Sequence, residues 1–209
     1  MAASVDDRTP KQDRSRATRA RLLEAAIDVL AERGFAGATV AVIAEQAGVS
    51  RGAAQHHYRT REELLTGALE HMFDERMAEI RELAAELPSG PGRTVAVVTG
   101  LTDYFTGPLF RAALQVWTAA AADPALRDEI VPLEARFGRV AHREAVELLG
   151  ADDTDPAQHR LIQATLDLAR GLGLADLLTD DSARRGRILT QWAATLDEAL
   201  RGTRTEPAG

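Results

Sequence analysis

The 209-residue sequence contains no cysteine, few aromatic residues and no long apolar run. The absence of cysteine excludes disulfide bonds and thiol catalysis. No apolar run approaches the roughly 20 residues that a membrane helix needs, and no signal-peptide pattern opens the chain. Hydrophobic residues still make up 45% of the sequence, which is enough for a buried core. We therefore predict a cytoplasmic protein of one large or two small domains without membrane association.

The sequence also lacks an overall positive charge, since its formal net charge is −7. The charge is unevenly distributed along the chain. Residues 1–61 hold ten basic against seven acidic residues, a net +3, whereas the remainder holds 15 against 25, a net −10. This distribution predicts that the N-terminal part attracts polyanions locally, with an affinity that falls steeply with salt.

Recognisable enzyme motifs are missing as well. The sequence has no phosphate-binding loop, no serine-nucleophile elbow and no HExxH motif. The segment GLGLA at residues 171–175 is only a faint match to a dinucleotide loop, because no strand pattern precedes it. The five histidines show no metal-ligand spacing beyond the adjacent His56 and His57. We predict no enzyme activity, no cofactor and no metal site.

The most informative segment is TVAVIAEQAGVSRGAAQHHYRTREELL at residues 39–65. Thr39 is a predicted N-cap, and the residues after it have apolar side chains at three- and four-residue spacing: Val40, Ile43, Ala44 and Ala47. Gly48 suits the left-handed conformation of a sharp turn, and Ser50 predicts a second N-cap for a short helix over residues 51–57. Two short helices joined in this way predict a helix-turn-helix.

The second short helix has side chains suited to reading DNA. Arg51 and Gln55 lie four residues apart and so project from one face. A guanidinium can bond a guanine bidentately, and a carboxamide can bond an adenine. The small side chains at residues 52–54 leave the backbone bare and allow close approach. This helix is the predicted recognition helix.

A basic junction follows the predicted recognition helix. His57, Arg59 and Arg61 are expected to meet phosphates, which position a protein on DNA without reading its sequence. Thr60 and Glu63 form a capping box, so a new helix is predicted to start at Arg61 with its positive dipole end toward the same region. Both features favour anion binding.

Plainer interpretations exist for single residues of this segment. Arg51 and Gln55 on a short helix usually form a solvated face, and Tyr58 is more often a core residue than a DNA contact. The ordered combination of caps, apolar stripe, glycine turn, bare helix and basic junction nevertheless favours DNA binding.

Residues 19–65 resemble the DNA-binding domain of TetR-family transcriptional repressors, through ERGF, T-V-x-x-IA-x-x-AGVS-x-G and HHY-x-x-REEL. The resemblance implies a packed aromatic residue at Tyr58 and DNA-facing positions at Thr39, Ser50, Arg51, Gly52, His57 and Arg61. Gln55 stands where the family often has tyrosine, and Arg61 where it usually has lysine. Our full set of predicted DNA-binding residues is Thr39, Ser50, Arg51, Gly52, Ala53, Gln55, His56, His57 and Arg61.

The rest of the chain also has helical patterns. A first helix is predicted from about Arg14 to Gly34, and a long one from Arg61 to Leu87, before the break PSGPG at residues 88–92. Five further helices are predicted over Thr94–Phe105, Leu109–Ala121, Ala125–Leu149, Ala157–Thr179 and Ala183–Leu200. Asp123 and Asp155 are predicted caps before prolines, and Pro132 predicts that its helix starts later or kinks.

The sequence thus predicts an all-α protein with an N-terminal three-helix helix-turn-helix DNA-binding domain and a C-terminal helical ligand-binding and dimerisation domain. The predicted boundaries are a flexible tail at residues 1–13, the DNA-binding domain at 14–60, the second domain at 61–201 and a flexible tail at 202–209.

The last two helices carry clean apolar stripes, and Gly171 and Gly173 allow close helix approach. The pattern alone fits an intrachain core and a subunit interface equally well. The resemblance implies dimerisation through these helices, and a two-fold dimer reads two DNA half-sites. The predicted homodimer interface consists of Leu168, Leu172, Ala175, Ile188, Trp192 and Leu196.

The middle helices hold most of the few aromatic residues. Each of these side chains alone is more often ordinary core or surface, but the resemblance implies a small-molecule pocket here. The predicted ligand-binding residues are Tyr104, Phe105, Phe110, Gln115, Trp117 and Phe137, and the polar groups considered with them include Asp103, Arg111, Arg136 and His142.

The resulting functional hypothesis is a dimeric repressor that binds double-stranded palindromic operator DNA and is released by a small-molecule effector. The main alternative is a DNA-binding regulator without an effector, controlled by a protein partner or by its abundance.

Overall fold

The computed structural model describes residues 8–84, 87–88, 90 and 92–202. These residues fold into α-helices without a strand, which confirms the all-α prediction. The described helices are α1 (Arg8–Gly37), α2 (Val40–Gln46), α3 (Arg51–His57), α4 (Arg61–Ala84), α5 (Arg93–Asp103), α6 (Pro108–Ala122), α7 (Pro124–Leu149), α8 (Pro156–Ala175) and α9 (Ser182–Gly202). None of them combines the length and the apolarity that crossing a membrane requires.

The first helix is longer at its start than the pattern predicted. Residues 8–13, which we assigned to a flexible tail, are helical, while residues 1–7 and 203–209 lie outside the described part. The regular helix breaks at Gly34, whose φ of 71° and ψ of 175° confirm the predicted end. A left-handed φ of this kind favours glycine, because a Cβ would clash with the backbone.

Proline and aspartate mark helix starts as the sequence predicted. Asp123 Oδ1 accepts a hydrogen bond of 3.0 Å from the Ala125 N–H, and Asp155 Oδ1 accepts one of 2.8 Å from the Ala157 N–H. The predicted later start of α7 is wrong, because this helix begins at Pro124 and continues through Pro132. Since proline has no N–H, α7 tolerates the loss of one helical hydrogen bond in its interior.

Two helix ends differ from the sequence prediction. The described part of α4 reaches Ala84, and Leu87, the predicted last residue, is not helical. α8 ends at Ala175, four residues before the predicted Thr179. Asp176 explains the second difference, because its carboxylate accepts hydrogen bonds from the Asp181 N–H at 3.0 Å and from Arg185 Nη1 at 2.7 Å. These bonds fix a turn between α8 and α9.

The chain divides into two compact units. The first contains Met1–Phe73 and Arg111–Ile130, and the second contains Asp74–Phe110 and Val131–Gly209, insofar as these ranges are described. The first unit is built on fully buried apolar side chains from α1, α2 and α4, which include Leu22, Leu30, Ile43, Leu64, Leu65, Leu69 and Phe73. Because α4 contributes to both units, the predicted functional boundary at residue 60 stays a prediction.

The second unit has two neighbouring apolar clusters that share α5 and α8. The cluster completed by α7 consists of Val97, Leu101, Ala145, Leu148, Ile162 and Leu166. The cluster completed by α9 consists of Val98, Leu172, Leu189, Ala193 and Leu196. Gly173 lets α8 approach the end of α5, because a Cβ at this position would overlap the Phe105 carbonyl oxygen. Close approach is therefore confirmed at Gly173, whereas Gly171 has open space around it.

Candidate nucleic-acid interface

The helix-turn-helix is formed by α2, a tight turn and α3. Thr39 Oγ1 accepts a hydrogen bond of 3.3 Å from the Val42 N–H, which confirms the first N-cap. Gly48 has a φ of 64°, and the Val49 N–H bonds the Ala44 carbonyl at 2.9 Å. These contacts close α2 with the left-handed glycine that the sequence predicted.

Ser50 begins the predicted recognition helix. Its Oγ accepts a hydrogen bond of 3.1 Å from the Ala53 N–H, which confirms the second N-cap. Ala54 is the fully buried residue of α3, whereas Arg51 and Gln55 are exposed. A Cβ at Gly52 would meet nothing within 4 Å, so no other part of the protein covers the helix backbone at this residue. α3 thus packs through one small side chain and presents its polar face outward.

Of the nine predicted DNA-binding residues, six are exposed in the free chain: Thr39, Ser50, Arg51, Gly52, Gln55 and His56. Ala53, His57 and Arg61 are half-buried. The exposed polar face belongs to the second helix of the helix-turn-helix, which is the arrangement that major-groove binding needs.

Tyr58 packs in the core behind α3, as the plainer interpretation predicted. Its exposed fraction is 6%, and its hydroxyl oxygen accepts a hydrogen bond of 2.9 Å from Arg19 Nε. Its ring also lies close to the backbone of α4 at Gly67, where a Cβ would be 3.3 Å from Tyr58 Cε1. The Arg19 contact was missed, because a partner 39 residues away leaves no periodic signal.

His57 lies at the end of the recognition helix in a positively charged setting. Partial burial lowers its pKa, and the neighbouring His56 and Arg19 lower it further. The imidazole is therefore held in its neutral form more strongly than an isolated histidine would be. A phosphate beside it would reverse this effect by stabilising the protonated form.

The capping box at the start of α4 is present. The Glu63 N–H bonds Thr60 Oγ1 at 3.0 Å, and Glu63 Oε2 accepts from the N–H groups of Arg59 at 2.7 Å and Thr60 at 3.4 Å. Because the Glu63 carboxylate occupies these donors, it offsets the positive end of α4. The positive end of the α4 dipole is therefore less available to an external anion than the sequence predicted.

Arg61 has partners inside the protein. Its Nε donates a hydrogen bond of 2.8 Å to the Ala38 carbonyl, and its Nη2 donates one to the Phe35 carbonyl. Its guanidinium carbon lies 4.1 Å from the centre of the Phe35 ring. In this arrangement Arg61 ties the start of α4 to the connection between α1 and α2, a role that sequence analysis did not foresee.

Comparison with known proteins identifies the family. The model for bacterial regulatory proteins of the tetR family matches residues 22–68, which include the helix-turn-helix. The transcriptional regulator BetI of Pseudomonas aeruginosa is 30% identical over 203 residues, covering 91% of this chain and 97% of BetI. The chain belongs to the TetR family. It is therefore a DNA-binding transcriptional regulator, as the sequence motifs predicted.

Two further TetR-family matches are informative. CymR of Pseudomonas putida, also a transcriptional regulator, is 33% identical over 123 residues, which are 59% of this chain and 61% of CymR. The crystal structure of the multidrug binding protein EbrR complexed with imidazole has a TM-score of 0.54 and 27% identity, covering 83% of this chain and 93% of EbrR. CymR and BetI are both HTH-type transcriptional regulators.

The predicted dimer residues of this TetR-family chain fall into two groups. Leu172 and Leu196 are 5% and 0% exposed and pack inside the protomer. Leu168, Ile188 and Trp192 are half-buried, and Ala175 is exposed. The three half-buried residues line a surface groove of about 430 Å³ on α8 and α9, together with Arg187, Gln191 and Thr195. This groove is the part of the predicted interface that remains available to a partner.

Three of the predicted ligand residues, Tyr104, Phe105 and Phe110, lie together. Phe105 stacks edge-on against both Tyr104 and Phe110, with ring centres 4.9 and 5.3 Å apart. Phe105 and Phe110 are 5% and 3% exposed. Gln115 and Trp117 belong to the other compact unit.

A larger cavity was not predicted as a site, although Arg136 and His142 in its wall were among the polar groups considered for ligand binding. It lies between α7 and α8, has a volume of about 950 Å³, and among its described lining residues are four arginines and no aromatic residue predicted to bind ligand. The basic residues are Arg136, Arg139, Arg143 and Arg170, and the wall also contains His142, Asp153 and His159. Helical periodicity gave no signal for it, because its residues come from two helices and their connection.

Proposed function

We propose that this TetR-family regulator is a repressor that binds a palindromic operator as a homodimer and is released by a small-molecule effector. The observation that carries the DNA-binding part is the exposed polar face of α3, which is capped by Ser50 and follows the Thr39-capped helix α2 and the left-handed turn at Gly48. Such a frame fixes the orientation of a short helix, so that its side chains can reach base edges.

In the proposed complex, Arg51 and Gln55 read bases, and Gly52 and Ala53 permit close approach of the α3 backbone. The exposed hydroxyls of Thr39 and Ser50 lie at helix starts and are suited to phosphate contacts, as are His56 and His57. Arg61 supports this surface from behind, because its guanidinium is bonded to two backbone carbonyls.

The proposed dimer forms through α8 and α9. Leu168, Ile188 and Trp192 line an apolar groove there, and Leu174 and Ala175 expose apolar side chains near the end of α8. Exposed apolar surface of this kind is typical of a subunit interface. A two-fold dimer also places two recognition helices on neighbouring half-sites, which supplies specificity that one short helix lacks.

The proposed effector site is the cavity between α7 and α8. Its volume of about 950 Å³ suits a small molecule. Arg136 and Arg170 in its wall are paired with carboxylates, whereas Arg139 and Arg143 favour an organic anion. EbrR, a relative at 27% identity, is a multidrug binding protein with imidazole bound in its structure. The effector would favour a dimer conformation in which the spacing of the two recognition helices does not match that of the operator half-sites. α4 would transmit this change, since it contributes residues to both units.

A regulator without a small-molecule effector is the second candidate function. The observation that favours it is the packed state of the predicted aromatic pocket, since Phe105 and Phe110 are almost fully buried against each other. In that case a protein partner or the abundance of the regulator would control DNA occupancy.

The test begins with selection of bound sites from random double-stranded DNA. We expect an enriched inverted repeat whose half-site centres are about 10 base pairs, or a multiple of this, apart. Enrichment of no sequence, or of isolated half-sites only, would argue against the dimeric operator complex.

Release is tested with a panel of organic anions on the selected operator, in parallel with direct ligand binding. An effector that weakens operator binding must itself bind more weakly to the operator complex than to the free protein. Both affinities are reduced by the same factor. Equal ligand affinity with and without operator would exclude the release mechanism and favour the regulator without an effector.

A further inference from the structure

Three potential metal-binding side chains meet at the junction of α7 and α8. His142 lies near the end of α7, Asp153 in the connection and His159 in the first turns of α8. Asp153 Oδ1 is 2.7 Å from His142 Nε2 and 2.9 Å from His159 Nδ1. The potential ligand atoms of the three residues all lie within 4.8 Å of one another. Sequence analysis assigned no metal site here, because the ligands are spread over 18 residues without a recognised spacing.

The connection that carries Asp153 is fixed by its neighbours. Asp152 Oδ1 accepts hydrogen bonds from the N–H and hydroxyl of Thr154 at 2.9 and 2.6 Å. The side chain of Gln158, which is 6% exposed, accepts a bond of 2.9 Å from the Asp152 N–H. Asp155 caps α8. Since these residues hold the backbone, the Asp153 carboxylate stays directed at both imidazoles without having to cap a helix itself.

The cluster contains one more histidine than an ion pair with Asp153 requires. One histidine suffices to neutralise and bond a carboxylate oxygen, yet two rings from two helices converge on a single oxygen, with ring centres 4.6 Å apart. An ionised carboxylate only accepts hydrogen bonds, so both ring nitrogens that face Asp153 carry a proton in the metal-free state. If each ring adopts its other tautomer, both nitrogens present lone pairs to the same point in space.

The donor set matches a particular class of ion. Two imidazole nitrogens and one carboxylate oxygen form a ligand set of protein sites for Zn²⁺ and related transition metals. In such sites the protein supplies three ligands and leaves a further coordination position open for water or an exogenous ligand. Tetrahedral coordination at about 2.0–2.2 Å separates ligand atoms by about 3.3 Å. The Asp153 oxygen, which lies 2.7 and 2.9 Å from the two ring nitrogens, therefore has to move outward by about half an ångström to admit an ion. Asp153 and His159 side chains are 44% and 40% exposed, which leaves them room to adjust.

We propose that His142, Asp153 and His159 form a binding site for one divalent transition metal ion of the zinc type, whose open coordination positions face the cavity between α7 and α8. All three residues line this cavity, so an ion can enter from it. Arg139 and Arg143 lie in the same wall and favour an anion as the exchangeable ligand. The site is independent of the DNA-binding surface, and its test needs no DNA.

The test is a titration of the chelator-treated full-length protein with ZnCl₂ by calorimetry, at neutral pH in a buffer that does not bind metal. We expect saturable binding of one Zn²⁺ per chain at this site. His142→Ala and His159→Ala should each weaken binding by about tenfold or more, since even outer-shell substitutions commonly weaken metal sites by about 10 to 100-fold. His71→Ala, which removes a histidine of α4, is the matched control and should retain the site.

A second measurement guards against loss of binding through misfolding. Co²⁺ added to the wild-type protein should give the visible absorption of a low-coordinate site, and Asp153→Asn should change this spectrum while circular dichroism shows the helices intact. Absence of saturable Zn²⁺ binding would overturn the proposal, and so would equal affinities in the His142, His159 and His71 variants.

Discussion

At the scale of single residues, Arg61 illustrates how a predicted DNA contact acquires another role in the fold. The side chain is half-buried and bonds the carbonyls of Phe35 and Ala38. Both carbonyls lie between Gly34, where the regular part of α1 breaks, and the start of α2. Arg61 therefore stabilises the frame on which α3 is held.

We predict that Arg61→Ala lowers the free energy of unfolding by about 1.5–3 kcal/mol, because hydrogen bonds from a charged donor would be lost. The matched control is Arg59→Ala, which removes an exposed arginine two residues earlier and should change stability by about 0.5 kcal/mol or less. Urea unfolding followed by circular dichroism measures both. Equal stability of the two variants would show that the Arg61 contacts contribute nothing.

His57 gives a prediction about pH. Its pKa is lowered in the free protein by burial and then by the charges of His56 and Arg19, whereas nearby phosphates would raise it in the complex. The complex then binds more protons than the free protein, so operator affinity should rise as the pH falls from about 7.5 to about 6. His57→Gln should lose part of this rise, measured by fluorescence anisotropy.

His71→Gln serves as the control for this pH dependence, because it removes a histidine of α4 outside the predicted DNA-binding residues. Identical pH profiles for the wild type and the His57 variant would mean that His57 does not meet phosphate.

At the scale of helices, the close approach at Gly173 is the most sharply testable contact. A Cβ there would overlap the Phe105 carbonyl oxygen, so Gly173→Ala has to push α8 away from the end of α5. We expect a loss of stability of at least about 1–3 kcal/mol. Gly100→Ala, at an exposed position of α5 with nothing near its Cβ, should be neutral or stabilising by up to about 1 kcal/mol. Thermal unfolding compares the two, and similar melting temperatures would contradict the close contact.

The helices were predicted well where the signal was local. Caps at Thr39, Ser50 and Asp155 and the breaks at Gly34 and Gly48 follow from side-chain chemistry within a few residues, and all are present. The errors arose where contacts distant in sequence or tertiary packing decided the outcome. α7 continues through Pro132, and α8 stops early because Asp176 bonds residues beyond the helix.

At the scale of the whole molecule, a candidate site could be predicted from the sequence only where its residues are contiguous. The helix-turn-helix is contiguous, so its order of caps, turn and polar face could be predicted. The cavity between α7 and α8 and the cluster of His142, Asp153 and His159 assemble only on folding. Leu172 and Leu196, which belong to the predicted interface, pack into the protomer's own core, and the interface stays a prediction.

The proposed dimer predicts that a charge in the groove on α8 and α9 separates the subunits. Leu168→Arg should give a monomer by sedimentation equilibrium, because burying an unpaired guanidinium in an apolar interface is costly. Val131→Arg, an equal change at a 57% exposed residue of α7, is the control and should leave the dimer intact. A folded Leu168 variant that still dimerises would place the interface elsewhere.

The proposed function depends above all on whether the exposed face of α3 reads DNA sequence. The deciding measurement is the ratio of affinities for the selected operator and for a scrambled duplex, at fixed salt, for the wild type, Arg51→Ala, Gln55→Ala and Arg59→Ala. Loss of a bidentate base contact should reduce this ratio by about 1–3 kcal/mol, a factor of about 5 to 150, for Arg51→Ala and Gln55→Ala. Arg59→Ala should weaken both duplexes alike and preserve the ratio. An unchanged ratio in both α3 variants would contradict the account.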